Sequence, residues 1–162
     1  MMETTKPDTD LAKGIMAIDN NAAAVARQVN LLSPLTMAYM GDAVYEQFVR
    51  ARLIEKYSKE TPHMLHKRAT GIVRASAQAA TVAAIFQDMT DAERNIYRRG
   101  RNANTSTVPK NVDIGKYRMA TGFEAVIGWL YLCGATERLC QILTLSMEKG
   151  WKEVPPNGTD KL

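Results

Sequence analysis

The chain has 162 residues, a formal net charge of +4 and an apolar fraction of 46%. That length fits a single domain whose core needs neither disulfides nor a structural metal. A charged fraction of 23% excludes wholesale disorder, and no uncharged apolar run reaches the roughly 18 residues of a membrane span.

Residues 1–20 are mostly polar, with Glu3, Asp8, Asp10 and Asp19 against Lys6 and Lys13. They lack the basic-then-apolar order of a signal peptide, which predicts a cytoplasmic protein. Asp19, Asn20 and Asn21 are turn formers, and residues 1–30 read as an N-terminal arm, partly helical or disordered. Ser33-Pro34 is an N-cap followed by proline at the first helical position. From there Leu35, Ala38, Asp42, Tyr45, Val49 and Arg52 keep a helical period. Thr61-Pro62 repeats the start signal, and the pattern after it reaches about Met89, with Gly71 as a candidate break. Thr90 with Glu93 predicts a capping box and a helix to about Arg99. Residues 100–113, rich in Asn, Thr, Ser and Gly, predict an exposed loop. Helical pattern resumes near Val112 and runs to Cys133, where Gly134 stops it. A last amphipathic helix covers about 135–149, Gly150 ends it, and residues 151–162 form a tail. No strand alternation or internal repeat is visible. The expected class is all-α, a helical bundle over residues 31–150.

The charge is segregated. Residues 50–74 hold seven basic side chains against two acidic ones, and residues 94–118 hold seven against one. Fourteen of the 21 basic residues therefore lie in two windows. Such clustering is either a solvated face or a surface for a polyanion. Cys133 and Cys140, seven apart, suit neither a disulfide nor a zinc pattern and read as packed thiols. His63 and His66 lack accompanying ligands and read as surface residues.

Two acids stand in apolar company. Asp42 lies on the stripe of Leu35, Ala38, Tyr45 and Val49, and Glu124 on that of Tyr117, Ala120, Thr121, Ile127 and Tyr131. A buried carboxylate needs a partner. Gly41, Ala43, Gly122, Ala125 and Gly128 would let the two helices approach closely. Two readings follow: each acid pairs with a buried Arg or Lys, or the two converge on a hard divalent cation such as Mg²⁺. The phosphate-binding charge nearby favours the second, with nuclease chemistry. Glu46 reads as an i,i+4 partner of Arg50. Tyr39, Tyr45, Tyr117 and Tyr131 read as core residues with satisfied hydroxyls.

Met40-Gly41-Asp42-Ala43-Val44 and Phe123-Glu124-Ala125-Val126-Ile127-Gly128 resemble the two signature blocks of the ribonuclease III catalytic domain. Leu65-His66-Lys67-Arg68, Arg99-Gly100-Arg101-Asn102-Ala103 and Pro109-Lys110-Asn111 extend the resemblance, in register, to the Mini-ribonuclease III family over residues 31–150. The resemblance implies an all-α endonuclease acting as a homodimer on double-stranded RNA. It implies Mg²⁺ as cofactor, with Mn²⁺ as a substitute, and processing of the ends of precursor 23S ribosomal RNA, with a ribosomal protein as a candidate partner. Asp42 falls on the family's catalytic and metal-binding aspartate, and Glu124 on its glutamate. The implied reaction is attack of water on phosphorus with a 3′-hydroxyl leaving group, one site per strand. The alternative is a non-catalytic relative that binds structured RNA in the ribosome or its assembly; its mark would be loss of Asp42 or Glu124, and both are present.

The chain departs from ribonuclease III proper. Leu35, Ala38, Thr121 and a position near Met64 stand where that family carries further acids. The reduced acid set is shared with the Mini-III proteins. No double-stranded-RNA-binding domain is expected, so RNA contact falls to the catalytic domain. Lys67, Arg68 and Arg74 are the expected residues of one wall of an RNA groove, and Arg98, Arg99, Arg101 and Lys110 those of the other.

Overall fold

A computed structural model describes residues 22–152. Its elements are helices: α1 (Ala22–Asn30), α2 (Pro34–Lys56), α3 (Pro62–Val73), α4 (Ala75–Ile85), α5 (Asp91–Arg101), α6 (Ile114–Leu132) and α7 (Thr136–Leu145). A short 3₁₀ turn (Phe86–Asp88) follows α4, and a π turn (Ser146–Gly150) follows α7. No strand occurs among the described residues. Of the expected arm over residues 1–30, residues 22–30 are helical and residues 1–21 lie outside the described residues, as do residues 153–162 of the tail.

Local chemistry sets the boundaries. Ser33, Thr61, Thr90 and Asp113 each accept a hydrogen bond from the backbone N–H three residues on. This satisfies one of the orphan donors of each first turn. Gly134 ends α6 with φ +68°, a conformation costly for residues with a Cβ. The break between α3 and α4 lies at Arg74, not at Gly71. Arg74 is extended (φ −61°, ψ 149°) and closes one helix while opening the next, whereas Gly71 stays helical. The two helices are bent by 55° there. No single helix among the described residues is long and apolar enough to cross a membrane.

α6 is the central element, with α2, α4 and α5 packed around it. Ala120 to Gly128 is buried almost continuously, as expected of a helix apolar on most sides. Glycines allow this. A Cβ on Gly41 would lie 1.7 Å from the carbonyl oxygen of Glu124, and one on Gly128 would lie 1.8 Å from that of Met37. Helices α2 and α6 therefore cross backbone against backbone. On the α5 side, a Cβ on Gly122 would lie 2.7 Å from the Tyr97 ring. Tyr45 and Phe123, both fully buried, meet edge to face at 5.1 Å beside the crossing.

One buried ion pair ties the far side. Glu93 closes the capping box with Thr90 and is 2% exposed. Arg138 of α7 donates to both of its oxygens at 2.7 and 2.9 Å, and to the Asp88 carbonyl at 2.8 Å. Burial pushes the Glu93 carboxyl up, but the Arg138 and Thr90 hydrogen bonds outweigh it and leave the pKa lowered.

Candidate active site

The α2–α6 crossing sets the site. Asp42 follows Gly41, and Glu124 supplies the carbonyl against which Gly41 packs. The two acids are thus brought together by main-chain contact. Asp42 is exposed and Glu124 half-buried. Asp42 therefore sits at the edge of its apolar stripe: the buried face of α2 runs through Met37, Ala38, Gly41, Tyr45, Val49 and Leu53.

Burial, reinforced by the charge of Asp42, pushes the Glu124 pKa up to about 7, against a lowering effect of one hydrogen bond from Gln78. Asp42 is raised by partial burial and then by Glu46. Neither acid is ion-paired with a basic residue among the described residues. The pairing of each with a buried Arg or Lys is thereby ruled out there.

Gln78 was not singled out by sequence. It is 2% exposed, in the alanine-rich α4. Its Nε2 donates to Glu124 Oε1 at 2.9 Å and to the Val73 carbonyl at 2.7 Å. Its Oε1 is buried and has no hydrogen-bond partner. Two neighbouring carboxylates, one solvent-facing and one half-buried, with no basic partner among the described residues, fit a hard divalent cation. They form no larger cluster: among the described residues no group of three or more His, Cys, Asp or Glu side chains is placed to hold a metal.

The basic residues divide. Lys67, Arg74, Arg98, Arg101 and Lys110 are exposed. Arg68 is not: it is 8% exposed, forms a bidentate pair with Glu60 at 2.6 and 2.7 Å, and stacks 3.7 Å over the Tyr57 ring. Arg99 is half-buried and donates to the carbonyls of Asn30 and Leu32, tying the α1–α2 connection to α5. Arg101 lies over the Tyr97 ring. Lys116 and Lys152, also missed, join Arg74 and Ser76 around a cleft of about 300 Å³ beside the start of α4. Clustered charge was the signal for Lys116, which lies in the second basic window; Lys152 lies outside both windows, and only the fold brings these residues together.

Other expectations resolve in the same way. Glu46 and Arg50 form the expected i,i+4 pair. Tyr45 is fully buried and its hydroxyl accepts from Trp151 Nε1 at 2.9 Å. Tyr39 is 83% exposed, contrary to a core role, because it lies opposite the buried face of α2. His63 and His66 are at the surface, and Cys140 is exposed where a packed thiol was expected.

Comparisons with known proteins match the chain over most of its length. A family model described as "Ribonuclease III domain" matches residues 35–135. A Mini-ribonuclease 3 of Thermoanaerobacter is 40% identical over 85% of this chain and 97% of its own. One of Streptococcus pneumoniae is 42% identical over 75% and 95%, respectively. The crystal structure of a Fusobacterium nucleatum protein superimposes with a TM-score of 0.65 at 26% identity, covering 73% of this chain and 93% of that one. With its signature acids converged at a glycine crossing and its sequence matched over most of its length, the chain belongs to the Mini-ribonuclease 3 family of ribonuclease III-type endoribonucleases.

Proposed function

We propose that this endoribonuclease cuts double-stranded RNA in a divalent-cation-dependent reaction, with Mg²⁺ as the ordinary ion and Mn²⁺ as a substitute. Asp42 and Glu124 are the catalytic residues and would hold the cation. The observation that carries this reading is the convergence of two carboxylates, unpaired with any described basic residue, at the Gly41–Gly128 crossing. A divalent cation supplies a more acidic water and neutralises charge on the phosphodiester. The protein's own part is to keep Glu124 half-buried, to hold it through Gln78, and to leave Asp42 open to solvent, where a backbone phosphate can approach.

Lys67, Arg74, Arg98, Arg101 and Lys110 are the proposed duplex contacts, together with Lys116 and Lys152 beside Arg74. Phosphate contacts of this kind suit an A-form duplex, which is read by shape and backbone. Arg68 and Arg99 support this surface from behind, through Glu60 and the α1–α2 connection. The enzyme works as a homodimer in the cytoplasm, one site per strand. Tyr39 and Leu31, 83% and 86% exposed, are the apolar surface that a second copy would cover. The natural substrate is precursor 23S ribosomal RNA at its paired ends.

The test is cleavage of an end-labelled RNA duplex in Mg²⁺ by the wild type, Asp42→Asn and Glu124→Gln, with duplex binding measured in Ca²⁺. Cutting by the wild type alone, with binding by all three, is the expected result. Cutting by either variant at the wild-type rate would refute the assignment of these acids, and binding without cutting by all three proteins would refute cleavage of duplex RNA.

A further inference from the structure

Gln78 is a costly residue for its place. A neutral amide in the apolar α4 leaves its Oε1 buried without a partner, where a leucine or methionine would pack with no such penalty. What the amide does instead is specific. One N–H is fixed on the Val73 carbonyl, at the end of α3. The other is aimed at Glu124 Oε1. Because both hydrogens leave the same nitrogen, the amide orientation is set by two acceptors from different elements. Among the described residues, Gln78 is the one hydrogen-bond partner of the Glu124 carboxylate.

We propose that Gln78 is a positioning residue, holding Glu124 by Oε1 so that Oε2 is the oxygen presented to the cation. This rests on the reading that Asp42 and Glu124 hold a divalent ion. It also joins two parts of the protein. Val73 immediately precedes Arg74, the bend that faces the basic cleft, so one amide links the phosphate-facing bend to the acid at the crossing. Groups that orient a metal-binding carboxylate in this way commonly change metal affinity or activity by about 10–100-fold when removed.

The experiment compares wild type, Gln78→Met, Gln78→Asn, Asp42→Asn and Glu124→Gln. Mn²⁺ binding to the RNA-free proteins is read by electron paramagnetic resonance. The Mg²⁺ concentration for half-maximal cleavage, duplex affinity in Ca²⁺ and melting temperature are measured alongside. Methionine keeps the volume and removes the donors. Asparagine keeps an amide that is one methylene too short to reach both acceptors. Both are expected to weaken Mn²⁺ binding at least about tenfold and to raise the Mg²⁺ requirement in parallel. Duplex affinity stays within about twofold of wild type, because phosphate contacts elsewhere supply it. A purely structural role would lower the melting temperature and leave Mn²⁺ affinity unchanged. Wild-type Mn²⁺ affinity in Gln78→Met or Gln78→Asn overturns the proposal. Mn²⁺ binding that is absent from the wild type, or unaltered by both Asp42→Asn and Glu124→Gln, overturns the cation reading and this proposal with it.

Discussion

Gly41 packs against the backbone carbonyl of Glu124 so closely that a methyl group at position 41 would overlap it, at 1.7 Å. The neighbour of one candidate catalytic acid thus touches the main chain of the other. The separation of the two carboxylates depends on this contact. Gly41→Ala or Gly128→Ala must force α2 and α6 apart. Overpacking of rigid backbone rather than a flexible side chain should cost about 3 kcal/mol or more. Urea denaturation would measure that loss, and any folded fraction should cleave more slowly because the acids have separated.

Removing either acid separates chemistry from binding. Asp42→Asn and Glu124→Gln should each lower the cleavage rate by at least about 100-fold, the scale on which removing a key electrostatic group acts. Duplex affinity in Ca²⁺ should change little. Single-turnover cleavage with enzyme in excess of duplex checks this.

Glu124 makes stability depend on pH. Its folded-state pKa of about 7 lies above the ordinary 4.5. The protonated form is therefore favoured by folding: its contribution is complete below about pH 4.5 and is lost as the pH rises through about 7. In metal-free buffer Glu124→Gln should gain stability relative to wild type above pH 7, by on the order of 2–3 kcal/mol. Melting curves of both proteins from pH 5 to pH 8.5 would show the divergence. A cation that binds the ionised acid should also release a proton, visible as a buffer-dependent heat in calorimetry.

The basic residues should sort by burial. Lys67→Ala, Arg98→Ala and Lys110→Ala are expected to weaken duplex binding and to reduce its salt dependence, each by about one phosphate contact. Their melting temperatures should stay at the wild-type value. Arg68→Ala should do the reverse at first order, lowering the melting temperature by stranding Glu60 and uncovering Tyr57. Binding isotherms at several salt concentrations, beside thermal melts, distinguish the two groups.

Arg138→Ala should be among the most destabilising changes far from the site. It leaves Glu93, 2% exposed, charged and without its main partner. The expected loss is about 3 kcal/mol, and chemical denaturation would measure it.

Much of the fold was legible because helix ends are written in short-range chemistry. Ser33, Thr61 and Thr90 cap the helices their sequence positions predict, and Gly134 takes the left-handed conformation its place suggests. The two acids were legible because carboxylates amid apolar, glycine-containing helices are conspicuous. Long-range pairing was not. Nothing local says that Arg68 folds onto Tyr57 and Glu60 while adjacent Lys67 faces solvent; that depends on how α3 meets the end of α2. Gln78 carries no motif, and its partner Glu124 is 46 positions away. The break at Arg74 escaped because residue propensity points to Gly71, whereas an arginine can adopt the extended conformation required.

The clamp of Glu93 by Thr90 and Arg138 anchors one end of α5, while Arg98 and Arg101 stand at the other. Arg99, between them, is tethered to the α1–α2 connection. A cationic edge mounted on a helix fixed at its root gives up little backbone freedom when it meets a polyanion. Under the proposed function, part of the ordering cost of recognition is therefore met during folding. A small nuclease surface can then grip a duplex with few contacts, and loosening the root of α5 should weaken that grip from a distance of about two helical turns.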